Sequence, residues 1–357
     1  MISSNTIVKI NKKNLSYNYR LLCHIANKSI GAATIKANAY GLGDIEVFKI
    51  LYKEGCNHFF LATTEEALTI RKINKKVNLY VLNGLEDNNL NIFNKHDLIP
   101  ILNSKEEIDI LIQSKYFKTK FKFGIHIETG LNRLGICLKD LKNRLIKEVN
   151  LEILISHLAS PDEFKNKYNH RQNLKFMEAF KFFKSIKYKS LCSSAGIMNN
   201  NNLHHNMIRP GISLYGGYNY IGLKKTFKIK PVIFLKGKIL QIKKIDKDEY
   251  VGYNQTYKTK KIIKVAIVGI GYADGISRLL SNNGKLFFKK DSYNIIGRVS
   301  MDSITVDISN SKYLIKTGQY MELINESFTI EKMAQKNGTI SNEILTSISS
   351  RVKREYC

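Results

Sequence analysis

Eight short apolar, β-branched runs recur through the first two-thirds of this chain, each followed by a turn or an amphipathic stretch. They fall at residues 30–36, 57–62, 78–82, 98–102, 121–128, 151–157, 189–193 and 207–214. Between them, residues 64–72, 104–114 and 170–185 carry apolar side chains at helical spacing. Eight strand–helix alternations over such a length point to an α/β fold, a (β/α)8 barrel of the TIM type, whose reactive groups lie at the carboxyl ends of the strands. A doubly wound open sheet is the alternative, but no G-x-G-x-x-G follows the first strand. A lead strand is expected at residues 6–10. After about residue 230 the texture changes. Residues 231–245, 262–269, 286–290, 293–308 and 320–324 read as strands separated by Gly, Asn, Asp and Lys turns, with helical segments at 330–336 and 342–347. The expected division is a barrel domain at residues 1–228 and a mainly β domain at 229–357.

The chain carries 57 Lys and Arg against 30 Asp and Glu, a net charge of +27. Such a balance can serve nucleic acid or membrane surfaces when the charge is clustered. Here the lysines are dispersed and no nucleic-acid-binding motif accompanies them, so neither partner is expected. No apolar run reaches the ~20 residues that span a bilayer, and the first residues lack the apolar block of a signal peptide, so a cytoplasmic protein is expected. Five cysteines, far apart and without a C-x-x-C pair, argue against a disulfide framework and a thiolate metal site.

The first barrel run ends in Thr34-Ile35-Lys36-Ala37-Asn38-Ala39-Tyr40-Gly41-Leu42-Gly43. A lysine closing a buried strand is desolvated, its pKa falls, and such an amine is the usual carrier of a Schiff base. A surface lysine after a strand is the plainer reading. Four further stretches carry polar groups at strand ends: Glu128-Thr129-Gly130-Leu131-Asn132-Arg133-Leu134-Gly135, Ile155-Ser156-His157, Ser193-Ser194-Ala195-Gly196 and Arg209-Pro210-Gly211-Ile212. Arg133 is a planar, permanently charged donor suited to a carboxylate. Small polar residues with nearby backbone N–H groups, as around Ser194, suit a phosphate. Taken singly, each has a bland alternative: a helix-surface arginine, a structural histidine, a turn.

Together these stretches resemble the alanine racemases, and the resemblance extends over essentially the whole chain. Lys-Ala-Asn-Ala-Tyr-Gly-x-Gly is similar to that family's cofactor-lysine motif. The likeness implies pyridoxal 5′-phosphate (PLP) held by Lys36, with Tyr40, Ser194, Gly211 and Ile212 on its phosphate. It puts Arg209 against the ring nitrogen; because guanidinium keeps its proton, that nitrogen would stay unprotonated. His157 would bridge Arg209 to a catalytic Tyr. In the second domain, Val251-Gly252-Tyr253-Asn254-Gln255-Thr256-Tyr257 resembles the segment of the second catalytic base, so Lys36 and Tyr253 become the catalytic pair. An ordinary Tyr pKa of ~10 means that Tyr253 needs a cationic neighbourhood to act near neutrality. Tyr272, in Gly269-Ile270-Gly271-Tyr272-Ala273-Asp274-Gly275, would line the entrance. Gly297-Arg298-Val299-Ser300-Met301-Asp302 resembles the segment whose Met amide holds the substrate carboxylate, so Arg133, Met301, Tyr272 and Asp302 form the substrate set.

The resemblance also implies a homodimer with shared active sites, a small amino-acid substrate and D-alanine for peptidoglycan. Three departures stand out. His126 occupies the place where the family often has a carbamylated Lys that orients the arginine matched by Arg133. In Ile348-Ser349-Ser350-Arg351-Val352-Lys353-Arg354, Lys353 replaces Pro and Ser350 stands where some members place a phosphate-binding Tyr. Alternative activities are a racemase for another amino acid on the same fold and a non-catalytic PLP-binding protein; the second domain with Tyr253 speaks against the latter.

Overall fold

The computed structural model describes residues 4–85, 90–117, 119–141, 149–199, 201–218 and 228–357. They form two compact units, Leu15–Lys230 and the combination of Met1–Asn14 with Pro231–Cys357.

The first unit is the barrel. Seven parallel strands run in chain order from Ala33–Thr34 through His58–Leu61, Asn78–Val81, Leu98–Leu102, Gly124–His126 and Asn150–Ile155 to Ser185–Ser190. The eighth, Met207–Ile208, pairs in parallel with Ile30–Gly31, the other half of the first strand. A bridge between Ser193 and Arg209 joins the seventh run to the eighth and closes the ring. Strands such as His58–Leu61 and Leu98–Leu102 are buried along their whole length, because the barrel interior takes one face and the helices take the other. Inside, Ala32, Phe60, Tyr80, Ile99, Ile101, Ile153, Ile155 and Met207 fill the centre, which is therefore a packed core rather than a pore.

Helices Thr64–Ile73 and Lys105–Gln113 start where a Ser or Thr can cap them. Thr63 Oγ1 accepts the Glu66 N–H at 3.3 Å and Ser104 Oγ accepts the Glu107 N–H at 3.2 Å. The helix expected at residues 170–185 is shorter. Lys167–Glu178 gives way to a 3-10 turn at Ala179–Phe182, and the seventh strand begins at Ser185. That strand lies upstream of the expected 189–193, because Leu151 pairs with Ile186 and Ile155 with Ser190. The eighth is also shorter than the expected 207–214: Ile212–Tyr215 is a 3-10 turn.

The second unit is built on Ile233–Ile245, a 13-residue strand that alternates buried and half-buried positions over its first half. It pairs antiparallel with Thr6–Ile10, Ile263–Gly269 and Tyr320–Ile324, exchanging partners at a bulge near Ile239. The division expected at residues 228 and 229 is thus corrected in one respect. The lead strand is hydrogen-bonded to Ile233–Ile245 and to the final strand Lys353–Tyr356, so the first fourteen residues group with the β unit. The run at 293–308 is two strands, Asp291–Asn294 and Ile304–Asp307, separated by a loop. Among the described residues no helix is long and apolar enough to cross a membrane.

Candidate active site

Lys36, His126, His157, Ser194 and Arg209 all stand at or just beyond the carboxyl ends of barrel strands, the end where barrel loops converge. The backbone after Lys36 is unusual. Ala37, Asn38, Ala39 and Tyr40 have φ of 54°, 53°, 52° and 55°, a single turn of left-handed helix built from non-glycine residues. Each such residue costs ~1–2 kcal/mol, so the turn persists only because other contacts hold it. Ala39 N–H donates to the Ile35 carbonyl and Gly41 N–H to that of Ala37, both at 2.8 Å. Asn38 Oδ1 accepts the Asp44 N–H at 3.0 Å, and Glu66 Oε1 accepts the Ala37 N–H at 2.7 Å. The Tyr40 ring is packed 4.8 Å from that of Tyr215, whose hydroxyl donates to the Thr34 carbonyl at 2.8 Å.

The Lys36 amine is pulled below the ordinary lysine range, first by burial and then by the positive charges of Arg133 and Arg209; Glu66 acts in the opposite sense. Arg209 is buried. Its Nε donates to Ser190 Oγ at 3.0 Å, and its terminal nitrogen donates to the Ser156 carbonyl. Burial pulls its own pKa down to about 10. His157 is driven well below the imidazole range by burial, with Arg209, Arg133, His126 and Lys36 adding to the shift, so its ring is neutral. Its tie to Arg209 is electrostatic, since no hydrogen bond joins the ring to the guanidinium among the described residues. Gln172, fully buried, donates to the His157 carbonyl at 3.0 Å and to Thr129 Oγ1 at 3.1 Å, fixing the backbone on both sides.

His126 is also neutral, pulled down to about 3 by burial, then by Arg209 and Arg133. Asn103 fixes its tautomer. The amide nitrogen of Asn103 donates to the Leu82 and Ile101 carbonyls, both at 2.9 Å, which leaves Oδ1 facing His126 Nδ1 at 3.0 Å. Nδ1 therefore carries the hydrogen and Nε2 is a bare acceptor. Arg133 itself is exposed, on a loop whose Gly130 and Asn132 N–H groups both donate to the Glu128 carboxylate.

Ser194 Oγ accepts the Gly211 N–H at 3.0 Å and the Ser213 N–H at 3.2 Å. A hydroxyl has two acceptor positions and one hydrogen, so this one must donate elsewhere. Gly211 has no side chain where one would strike Tyr40 Oη, which stands 2.5 Å from the position a Cβ would take. The Tyr40 phenol, pushed up to about 12 by burial, remains a neutral donor. An uncommitted Ser hydroxyl, a Tyr hydroxyl and the Ile212 amide beside Gly211 suit a phosphate, while Lys36 and Arg209 suit an aldehyde and a ring nitrogen. The residues present thus fit PLP.

The remaining expected residues, Tyr253, Tyr272, Met301 and Asp302, belong to the β unit and are exposed there. Their side chains stand at the surface, and their loops are laced together. Tyr272 N–H donates to the Ser300 carbonyl at 3.1 Å and Ala273 N–H to that of Met301 at 3.0 Å. A Cβ on Gly271 would overlap the Met301 carbonyl. Asn282 spans the Tyr253 loop and the Gly297 loop, donating to Thr256 Oγ1 at 3.1 Å and accepting from Gly297 N–H at 2.6 Å. Asp302, expected near substrate, is paired with Arg351 at 2.8 Å, and Arg351 also holds the buried Asp274 at 2.8 Å. Gln172, Asn103 and Glu66 are supporting residues that no motif singled out, and Arg351 stood in a quoted motif without a role; for Glu66 the pattern Thr63-x-x-Glu66, a capping signature, was available.

Residues 10–219 match the family model for the alanine racemase N-terminal domain, and residues 232–356 match that for the C-terminal domain. The chain is 39% identical to the alanine racemase of Rickettsia canadensis over 97% of this chain and 98% of that protein. It is 37% identical to that of Rickettsia africae, over 98% of each. Its fold is similar to that of the Bartonella henselae alanine racemase with covalently bound pyridoxal phosphate, with a TM-score of 0.91, 32% identity and coverage of 99% of this chain and 100% of that one.

Proposed function

The chain belongs to the alanine racemase family and is a PLP-dependent isomerase, and from that premise we propose that it interconverts L- and D-alanine through two proton-transfer groups, Lys36 and Tyr253, one for each face of the substrate Cα. The observation that carries this reading is the half-buried Lys36 amine, flanked by two guanidinium groups that favour its neutral, proton-accepting form. One fixed base returns a proton to the face it came from, so inversion needs a second group opposite. The phenol of Tyr253 is the candidate, on a loop held by Asn282.

When bound, PLP supplies the electron-withdrawing ring that lets the Cα proton leave. Lys36 would hold it covalently, with Tyr40, Ser194, Gly211 and Ile212 on its phosphate. Arg209, fixed by Ser190 and the Ser156 carbonyl, would face the ring nitrogen. Neutral His157 would relay between Arg209 and Tyr253. Arg133 and the Met301 amide would take the substrate carboxylate, Tyr272 would line the entrance, and Asp302 would act through the loop it shares with Arg351. In this reading the protein is a cytoplasmic homodimer that supplies D-alanine for peptidoglycan. Tyr253 and Met301 serve the barrel mouth of a second copy, in keeping with their exposure in a single chain.

The test is conversion of D- to L-alanine by purified protein, with serine and lysine as competing substrates. Lys36→Ala should abolish both the visible absorption band of bound PLP and turnover, a loss on the order of a thousandfold or more. Mixing Lys36→Ala with Tyr253→Ala should restore activity if sites are shared between copies; no recovery after verified subunit exchange counts against sharing. A PLP band with no turnover of any amino acid would replace the enzyme reading by that of a PLP carrier.

A further inference from the structure

The barrel contains the same device twice. In Thr63-x-x-Glu66 and Ser104-x-x-Glu107, the hydroxyl caps the helix through the N–H of the glutamate. In an ordinary capping box the glutamate would reach back to the cap residue. Here each carboxylate reaches further. Glu107 accepts the Asn103 N–H at 2.5 Å and the Leu85 N–H at 3.3 Å. Glu66 accepts the Ala62 N–H and the Ala37 N–H, each at 2.7 Å. Both therefore staple the end of their own strand to the loop after the preceding strand, with two charge-assisted bonds each.

For Glu66 that neighbouring loop is the left-handed turn, and Ala37 is the first residue of it. The amide seized is the peptide link to Lys36 itself. We propose that Glu66 is a positioning residue for Lys36, setting the aim of its amine through the backbone of the left-handed turn without touching substrate or cofactor. The proposal rests on Lys36 being the reacting lysine, as read above. It explains why an energetically disfavoured backbone persists at this position. Other contacts brace the turn along its length, through Ile35, Ala37 and Asn38; Glu66 grips its point of entry next to Lys36. The placement has an electrostatic consequence too. Among the described residues Glu66 is the acidic group that acts on a lysine flanked by Arg133 and Arg209, and it opposes the lowering of that amine's pKa. Geometry and charge then operate through one carboxylate.

Glu66→Gln keeps the shape, retains one acceptor oxygen, and turns an NH2 toward the second amide. In the full-length, PLP-loaded protein we expect kcat for alanine to fall about tenfold with KM for alanine within about twofold, since a misaimed reacting group costs rate more than binding. The limb of the rate–pH profile that reports Lys36 should move to lower pH, because an anion favouring its protonated form has gone. The visible band of bound PLP should keep its intensity but shift its own pH midpoint in the same direction. A lowered melting temperature with unchanged kcat and unchanged midpoints would overturn the proposal and leave Glu66 as a strand staple like Glu107. Glu66→Asp, too short to span both amides, gives a second reading of the same quantities should the Gln variant fold poorly. Lys36→Ala separates the two levels of inference: a band or turnover that survives it refutes the role of Lys36, whatever Glu66 does.

Discussion

The barrel mouth and the loops of the β unit hold their functional residues in opposite ways. Ser194, Arg209 and Tyr40 are 3%, 7% and 8% exposed; the Arg209 guanidinium and the Ser194 oxygen are already held by neighbours, which leaves the Ser194 hydrogen to donate. Tyr253, Met301 and Tyr272 are 68%, 52% and 41% exposed, and only their backbones are fixed. The first arrangement is preorganised from the inside, where low dielectric strengthens each contact and shifts each pKa. The second presents side chains on a stiff frame and leaves their electrostatic tuning to whatever covers them. A tyrosine meant to act as a base near neutrality cannot be tuned in water. The difference therefore teaches that the barrel's polar groups are buried and oriented by contacts within one chain, whereas the proposed role of Tyr253 would require something to cover it.

The sharpest way to break this contrast is Tyr253→Phe. Turnover should fall on the order of a thousandfold, while the PLP band and melting temperature stay within error of the parent, because removing an exposed hydroxyl disturbs no packing. A lost degree of stability would mean that the Tyr253 hydroxyl supports the β unit's own structure, and a shifted band that it tunes the bound cofactor. Next in size is a pH effect confined to the barrel. Unfolded imidazoles gain a proton near pH ~6.5, but folded His126 resists until about 3. Between those values the unfolded state binds more protons, so stability is full above pH ~6.5 and falls as pH drops through that window. Thermal melts from pH 7 to 4 should show the decline, and His126→Gln should flatten it by up to ~1.4 kcal/mol per pH unit. An unaltered slope would mean that His126 titrates normally. The smallest effect belongs to the β unit. Arg351→Met frees the Met301–Asp302 loop from Asp274, and KM for alanine should rise about threefold to fivefold with kcat nearly constant. Equal losses in both would show that the clamp serves the reaction step instead of the carboxylate.

Much of this was legible beforehand, for identifiable reasons. A strand buried on both faces announces itself as a continuous apolar run, so Leu98–Leu102 falls where composition puts it. Ser185–Ser190 does not, because Lys187 and Lys189 interrupt it; Lys187 answers Glu152 at 3.0 Å on the neighbouring strand, a partner invisible in one dimension. The lysine motif pointed to a reacting amine, but Gly41 and Gly43 only follow the turn, which Ala37, Asn38, Ala39 and Tyr40 form against their own preference. Nothing local in four ordinary residues announces reversed handedness, since the contacts that hold it include one from Glu66, 29 positions away. For the same reason Asn103 and Gln172, which set one imidazole's tautomer and another's backbone, read as unremarkable polar residues until the barrel brings them near.

The left-handed turn has one more consequence, which concerns entropy. Glycine roams freely over positive φ, whereas alanine occupies only a narrow well there. A turn made of glycines would be more comfortable and looser, and the lysine at its head would sweep a wider cone. By using Ala, Asn and Tyr instead, the chain trades thermodynamic ease for a stiff tether. Relaxing that tether with Ala37→Gly or Ala39→Gly would therefore improve the fold and blur the catalyst, so stability and accuracy pull in opposite directions at this one corner of the barrel.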